Sequence, residues 1–174
     1  FDACSELAFE TVETMNDGFS SQQYLESVRQ DEDAFIDKSR FSLALVREQL
    51  VLGDTSAAPD SSIKLISAFR LHPSATNQRL VSVLCNDVAE SVAKDDPIRQ
   101  RILVTDHEAH SDQPPAVFDA VHMAWFQNLE QAKAHLRSNN RDSAELALAG
   151  LAFGRIDLVA REVHVVSPPD LEKD

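Results

Sequence analysis

The sequence predicts an α+β fold made of ferredoxin-like β-α-β-β-α-β copies that together form an α+β barrel. From residue 62 onward the chain reads as strand, helix, strand, strand, helix, strand, which is the ferredoxin-like order. The triplet Phe-Asp-Ala at residues 1–3 returns at residues 118–120, and each triplet opens an apolar run that ends in Phe, at Phe9 and Phe126. Self-similarity of this kind indicates a duplicated structural unit.

Residues 1–53 contain the elements of half a copy. An apolar run follows the first triplet, and a second apolar strand pattern surrounds Arg47-Glu48. Acidic residues early in the segment 31–36 favour a helix start, because the positive end of the helix dipole attracts them. We predict, in order, a strand over 1–10, a helix over 21–29, a short helix or turn over 31–36, a strand over 42–52 and a Ser-, Asp- and Pro-containing linker over 54–62.

Residues 63–169 contain the elements of a complete copy. Leu80, Leu84 and Val88 recur at four-residue intervals, which is typical of a helix with one buried face. Pro97 is expected to end that helix. We predict, in order, a strand over 63–71, a helix over 73–94, strands over 98–106 and 117–126, helices over 129–137 and 143–152, and a last strand over 161–166.

The organisation predicted from these elements is one and a half copies. Residues 1–53 form the later half of a first copy, 54–62 the linker, 63–169 the complete second copy and 170–174 a tail. Two strands and one helix cannot bury their apolar side chains by themselves. We therefore expect the missing half copy to lie upstream of Phe1, or strands of a neighbouring molecule to pair with these edges in a homo-oligomer.

Composition and charge exclude several classes of function. The chain has 29 acidic and 16 basic side chains and a net charge of −13, which argues against nucleic acid and against an anionic membrane surface as partners. No segment reaches the roughly 18–20 apolar residues that cross a bilayer. The two cysteines, Cys4 and Cys85, form no disulfide or metal pattern, and we expect buried thiols in a cytoplasmic protein.

The segment 117–136 resembles the third strand and second helix of the EthD family, within the dimeric α+β barrel superfamily. It carries Phe-Asp-Ala-Val at 118–121, Trp-Phe at 125–126 and Leu-Glu at 129–130, and residues 1–48 are similar to the same half-motif. The resemblance implies work on a small molecule such as an aromatic or polyketide-like compound. The resemblance implies a cyclase, isomerase, lyase or cofactor-free monooxygenase, and no cofactor is expected here.

Alternation along the strand 117–126 sorts its side chains onto two faces. Phe118, Ala120, His122, Ala124 and Phe126 suit packing against helices, and there a hydrogen-bonded structural role is expected for His122. The opposite face, with Asp119, Met123 and Trp125, is expected to line the barrel and bind the substrate.

Three further residues are predicted to perform the chemistry and one to bind an anionic group. Glu6, inside the barrel, is a candidate acid or base, with a solvent-facing strand-end Glu as the alternative. His107 and His110 lie in an acidic loop where the barrel is expected to open, and they are the other catalytic candidates, with a solvated hairpin loop as the alternative. A metal site is not predicted, since the sequence fixes no third ligand. Arg70 is a candidate substrate-binding residue, with simple exposure on its strand as the alternative.

The function predicted from the sequence is small-molecule binding in an apolar cavity, with a lyase, isomerase or cyclase type of reaction on an aromatic or polyketide-like compound. The alternative is a non-catalytic barrel that sequesters a ligand or assembles with a partner. A cavity that holds two convergent titratable groups would favour the enzyme, and a cavity filled by Phe, Leu and Met would favour the alternative.

Overall fold

The computed structural model describes residues 4–37, 43–53, 62–109 and 116–161. The chain divides into two compact units, one formed by residues 1–45 with 106–117 and the other by residues 46–105 with 118–174. Among the described residues, no helix is both long and apolar enough to cross a membrane.

The first unit contains helix α1 (Val12–Ser20), a π-helical turn (Tyr24–Val28) and helix α2 (Arg29–Phe35). Thr11 caps α1 by accepting a hydrogen bond from the backbone N–H of Thr14, and the Thr14 hydroxyl accepts one from the Thr11 backbone in return. This reciprocal capping satisfies two N–H groups that the first helical turn leaves without partners.

The predicted strand over residues 1–10 is wrong where the structure describes this segment. Residues 4–10 have no regular structure. No strand among the described residues pairs with this segment, and an apolar run alone does not make a stable strand. Leu7 is 69% exposed, and Cys4 is exposed rather than buried as predicted. The helical region also begins nine residues earlier than predicted, at Val12.

The second unit is built on a five-stranded antiparallel sheet. Its order is β1-β3-β4-β2-β5, and the last four strands have the ferredoxin-like arrangement. β1 was predicted to belong to the first half copy, but it pairs with β3 as a fifth strand of this sheet. The strands are β1 (Val46–Gly53), β2 (Ile63–Leu71), β3 (Arg99–Thr105), β4 (Ala120–Phe126) and β5 (Ala152–Arg161).

The described part of this unit contains four helices, and their apolar side chains share one core with one face of the sheet. Phe69, Phe126 and Ile102 from the strands and Leu80 and Leu84 from the helical side are almost completely buried in it. The predicted long helix is observed as α3 (Asn77–Val83), a π-helical turn (Leu84–Val88) and α4 (Ala89–Ala93), and the others are α5 (Leu129–Leu136) and α6 (Asn139–Leu148).

The last described strand lies earlier than predicted. The predicted helix over 143–152 and the predicted strand over 161–166 both differ from the structure, in which α6 ends at Leu148 and β5 begins at Ala152. Gly150 has φ +77°, a conformation that glycine adopts without strain, and it turns the chain out of α6. Residues 162–166 of the predicted strand lie outside the described residues.

A polar cluster around Asp95 fixes the start of α6. The Asp95 carboxylate accepts hydrogen bonds from Ser138 at 2.8 Å and Asn140 at 2.6 Å, and His135 Nδ1 lies 2.6 Å from it. Partial burial raises the pKa of Asp95, but these hydrogen bonds outweigh that effect and leave the pKa below its usual value. The carboxylate therefore joins the end of α4, the end of α5 and the start of α6.

Phe126→Ala is expected to reduce the free energy of unfolding by about 3–5 kcal/mol, because the ring is fully buried and its loss leaves a cavity in the core. Urea denaturation followed by circular dichroism measures this loss. Leu129→Ala is the matched control, since Leu129 is exposed, and it should change stability by less than about 1 kcal/mol. A similar small loss for Phe126→Ala would contradict the assignment of Phe126 to the helix-packed face.

Candidate functional site

The two faces of β4 carry different environments, as the alternation predicts. Ala124 and Phe126 pack with the helices, whereas Met123 and Trp125 pack with Ile66 from β2 on the opposite face. Both faces are buried, so β4 lies at the centre of the unit rather than at its surface.

Trp125 is held between two cations. Lys64 on β2 and Arg99 on β3 are its direct partners in the sheet, one on each side. The Lys64 ammonium lies 4.4 Å and the Arg99 guanidinium 4.0 Å from a ring centre of Trp125, distances at which a cation is attracted to the π face. Trp125 is fully buried and Met123 is 3% exposed. These two residues of the predicted substrate-binding face are therefore packed inside the unit.

The other two predicted substrate-binding residues lie in different surroundings. Asp119 accepts a hydrogen bond from the backbone N–H of Leu71 at 2.7 Å and so helps to join β2 to the segment before β4. Arg70 is exposed, and its guanidinium carbon lies 5.8 Å from the ring centre of Phe153.

The predicted catalytic residues that the structure describes, Glu6 and His107, lie in the first unit, and both are exposed. His107 is in a turn that Asp106 stabilises by accepting hydrogen bonds from the backbone N–H groups of Glu108 and Ala109. His110 lies outside the described residues. Within the parts of the chain that are described, no group of three or more His, Cys, Asp or Glu side chains is placed to hold a metal ion.

A cavity of about 320 Å³ opens in the second unit, where α6 and the start of β5 meet β2. Its apolar lining includes Phe69 from β2, Leu148 from α6 and Phe153 from β5. Glu145 and Arg155 contribute the charged part of the lining. The cavity is an open surface cleft, since Phe153 is 58% exposed and Glu145 and Ala149 are also exposed. Apolar side chains beside a few charged groups are nevertheless the usual composition of a small-molecule site.

The charged lining belongs to a set of five residues that we call the arginine–carboxylate cluster: Ser67, Arg141, Glu145, Arg155 and Asp157. Asp157 accepts hydrogen bonds from Ser67 at 2.6 Å, Arg155 Nε at 2.8 Å and Arg141 Nη2 at 2.9 Å. Glu145 Oε1 accepts from Arg141 Nε at 2.8 Å and Arg155 Nη1 at 3.2 Å. The positive charges of two guanidinium groups and the negative charges of two carboxylates thus balance each other at the edge of the cavity.

Within the cluster, Asp157 has the more rigid position and Glu145 the more accessible one. Asp157 uses both carboxylate oxygens and is held by residues of β2, β5 and α6. The Glu145 side chain is 46% exposed and uses Oε1 alone. Partial burial lowers the pKa of Arg141, but its contacts with Glu145 and Asp157 outweigh this effect and raise the pKa.

His122 has the structural role predicted for it. It is buried on the helix-packed face, and its Nε2 lies 2.9 Å from Gln100 Oε1, while Gln100 donates to the backbone carbonyl of Ala89. Burial, followed by electrostatic interactions with His135 and Arg155, lowers the pKa of His122 to about 3. The imidazole is therefore neutral near pH 7, with Nε2–H as the donor to Gln100.

The cavity residues Glu145 and Arg155 were not identified from the sequence. Arg141 and Glu145 have the four-residue spacing of a helical ion pair, which is a common surface feature. Arg155 and Asp157 lie between the predicted helix and the predicted last strand, where the sequence analysis assigns no element, so their shared face on β5 is not predicted. The signal available in the sequence is the alternation of charged and apolar residues over 155–158.

Comparison of structures places this fold among ferredoxin-like proteins. An anthrone oxidase-like protein matches with a TM-score of 0.65 at 8% identity, over 87% of this chain and 67% of its own. A candidate monooxygenase from Fusobacterium nucleatum subsp. nucleatum matches with a TM-score of 0.58 at 7% identity, over 86% and 64%. A dimeric ferredoxin-like protein from Thermobifida fusca matches with a TM-score of 0.50 at 12% identity, over 64% and 100%.

The EthD domain family matches residues 1–39, so the resemblance to that family is confirmed over this segment. A sequence search of curated proteins finds no match. The tandem duplication and the homo-oligomer stay predictions.

His122→Gln is expected to weaken the acid sensitivity of folding. In the unfolded chain a histidine takes up a proton near pH 6.5, whereas folded His122 does so only near pH 3. Its contribution to stability is therefore complete above pH 6.5 and is lost as the pH falls, by about 1.4 kcal/mol per pH unit. Urea denaturation between pH 7 and pH 5 should show a steeper loss in the unmodified protein than in His122→Gln. Parallel losses of stability in the two proteins would contradict this expectation, because they would show that folding does not lower the pKa of His122.

Proposed function

We propose that the protein binds a small aromatic molecule in the cavity between α6 and β5 and converts it without a cofactor. The observation that carries this proposal is the convergence of Glu145 and Arg155 on a cavity whose remaining lining includes Phe69, Leu148 and Phe153. A cavity filled by apolar side chains would favour sequestration, whereas one with two titratable groups favours an enzyme.

The residues of the cavity support a proton-transfer reaction of the lyase, isomerase or cyclase type. The Glu145 carboxylate is the proton acceptor, and the positive charge of Arg155 stabilises negative charge that develops on a substrate oxygen. Return of the proton to a different substrate atom completes an isomerisation. In a cyclisation, the resulting enolate carbon attacks a second carbonyl of the same molecule, and Glu145 returns the proton to the alkoxide oxygen that forms there.

Two kinds of similarity support an aromatic or polyketide-like substrate. One protein of this fold is named anthrone oxidase-like, and the match of residues 1–39 to the EthD domain agrees with small-molecule chemistry. The aromatic rings of Phe69 and Phe153 offer flat apolar surfaces, on which a planar ligand can stack. Arg70, predicted to bind substrate, lies beside Phe153 and is proposed to contribute at this edge.

Glu6, His107 and His110 remain the alternative set of catalytic residues. They were chosen for their residue types and their expected place at a barrel opening, and the proposal for the cavity does not use them. The two proposals differ in where the ligand binds, so an experiment that blocks the cavity separates them.

Ala149→Trp is expected to reduce the affinity for bicyclic aromatic ligands such as 2-naphthol by tenfold or more. Ala149 is an exposed residue of the cavity lining, so an indole at this position fills the cavity without removing a core side chain. Isothermal titration calorimetry measures the affinity, and Ala134→Trp, at an exposed position of α5, is the matched control that should bind as the unmodified protein does.

Unchanged affinity in Ala149→Trp would place the ligand elsewhere and would favour the alternative set of residues. The absence of binding to any bicyclic aromatic compound in the unmodified protein would contradict the proposed function. Binding without conversion of any bound compound would favour sequestration over catalysis.

A further inference from the structure

The two oxygens of the Glu145 carboxylate are used unequally. Oε1 accepts hydrogen bonds from both Arg141 and Arg155, which fixes the orientation of the carboxylate. Oε2 accepts none from the described residues, although Glu145 is part of the cavity lining. A carboxylate oxygen accepts hydrogen bonds and never donates them, so the cavity offers a ligand a charged acceptor whose position is fixed by two guanidinium groups.

The charge of the arginine–carboxylate cluster determines which ligands suit this acceptor. The guanidinium groups of Arg141 and Arg155 are balanced by the carboxylates of Glu145 and Asp157. An anionic ligand would place a third negative charge beside two guanidinium groups, in a protein with a net charge of −13. A neutral ligand with a hydroxyl group brings a donor to Oε2 without this repulsion.

We propose that Glu145 is the residue that determines specificity, and that it selects neutral hydroxylated aromatic compounds over their ethers and over aromatic carboxylates. The inference rests on the proposed function, because it concerns the same cavity. The ligand hydroxyl donates to Glu145 Oε2, and the ring packs against Phe69, Leu148 and Phe153. A hydrogen bond to an ionised acceptor is about twice as strong as one between neutral groups, so loss of the hydroxyl proton weakens binding strongly.

Glu145→Gln reverses the hydrogen-bonding character of this position and keeps its size. The guanidinium groups of Arg141 and Arg155 are donors only, so they hold the Gln oxygen at the place of Oε1. The Gln NH₂ group then occupies the place of Oε2, and an acceptor becomes a donor. The variant should therefore favour a ligand that accepts a hydrogen bond.

The experiment compares 2-naphthol, 2-methoxynaphthalene and 2-naphthoate by isothermal titration calorimetry at pH 7. The unmodified protein should bind 2-naphthol at least tenfold more tightly than either of the other two ligands. Glu145→Gln should lose this preference for 2-naphthol over 2-methoxynaphthalene or reverse it. Glu130→Gln is the matched control, since Glu130 is an exposed carboxylate on α5 paired with Lys133, and it should keep the tenfold preference.

Equal affinities of the unmodified protein for 2-naphthol and 2-methoxynaphthalene would overturn the specificity proposal and leave the proposed function intact. A preference for 2-naphthoate would also overturn it, because Arg155 rather than Glu145 would then select the ligand. Binding of none of the three ligands would instead contradict the proposed function. The comparison of ligands in the unmodified protein tests the inference even where Glu145→Gln does not fold.

Discussion

The antiparallel pairing of β2 with β4 determines on which side of the sheet each neighbouring side chain lies. In this register Lys64 is opposite Trp125, and Ile63 is opposite Phe126. Because side chains alternate along a strand, a slip of one residue would exchange the two faces of β4. Phe126 would then no longer pack against the helices, and Trp125 would no longer lie between the cations of Lys64 and Arg99.

The same register also positions the cavity. β5 pairs with the other edge of β2, which brings Asp157 beside Ser67 and Arg155 beside Phe69. α6 then adds Arg141 and Glu145, and the polar cluster around Asp95 holds the start of this helix. Catalytic and binding groups need to be held in place by their surroundings, and here β2, β5 and α6 supply the apolar and the charged parts of the candidate site.

The sequence predicted the ferredoxin-like unit better than the candidate site. The alternation in β4 and the four-residue spacing of Leu80, Leu84 and Val88 are local signals, and both correspond to buried faces in the structure. β1 could not be assigned to its sheet, because its pairing with β3 joins residues about 50 positions apart. The arginine–carboxylate cluster combines residues of three elements, and no local pattern indicates that Ser67 and Asp157 meet.

The most direct test of this account is a nuclear Overhauser measurement on the indole protons of Trp125, the single tryptophan of the chain. We expect contacts from the indole ring to the side-chain methylenes of both Lys64 and Arg99. Contacts from the ring to Leu80 and Leu84 instead would mean that Trp125 lies on the helix-packed face. That result would contradict the register of the sheet and, with it, the position of the cavity.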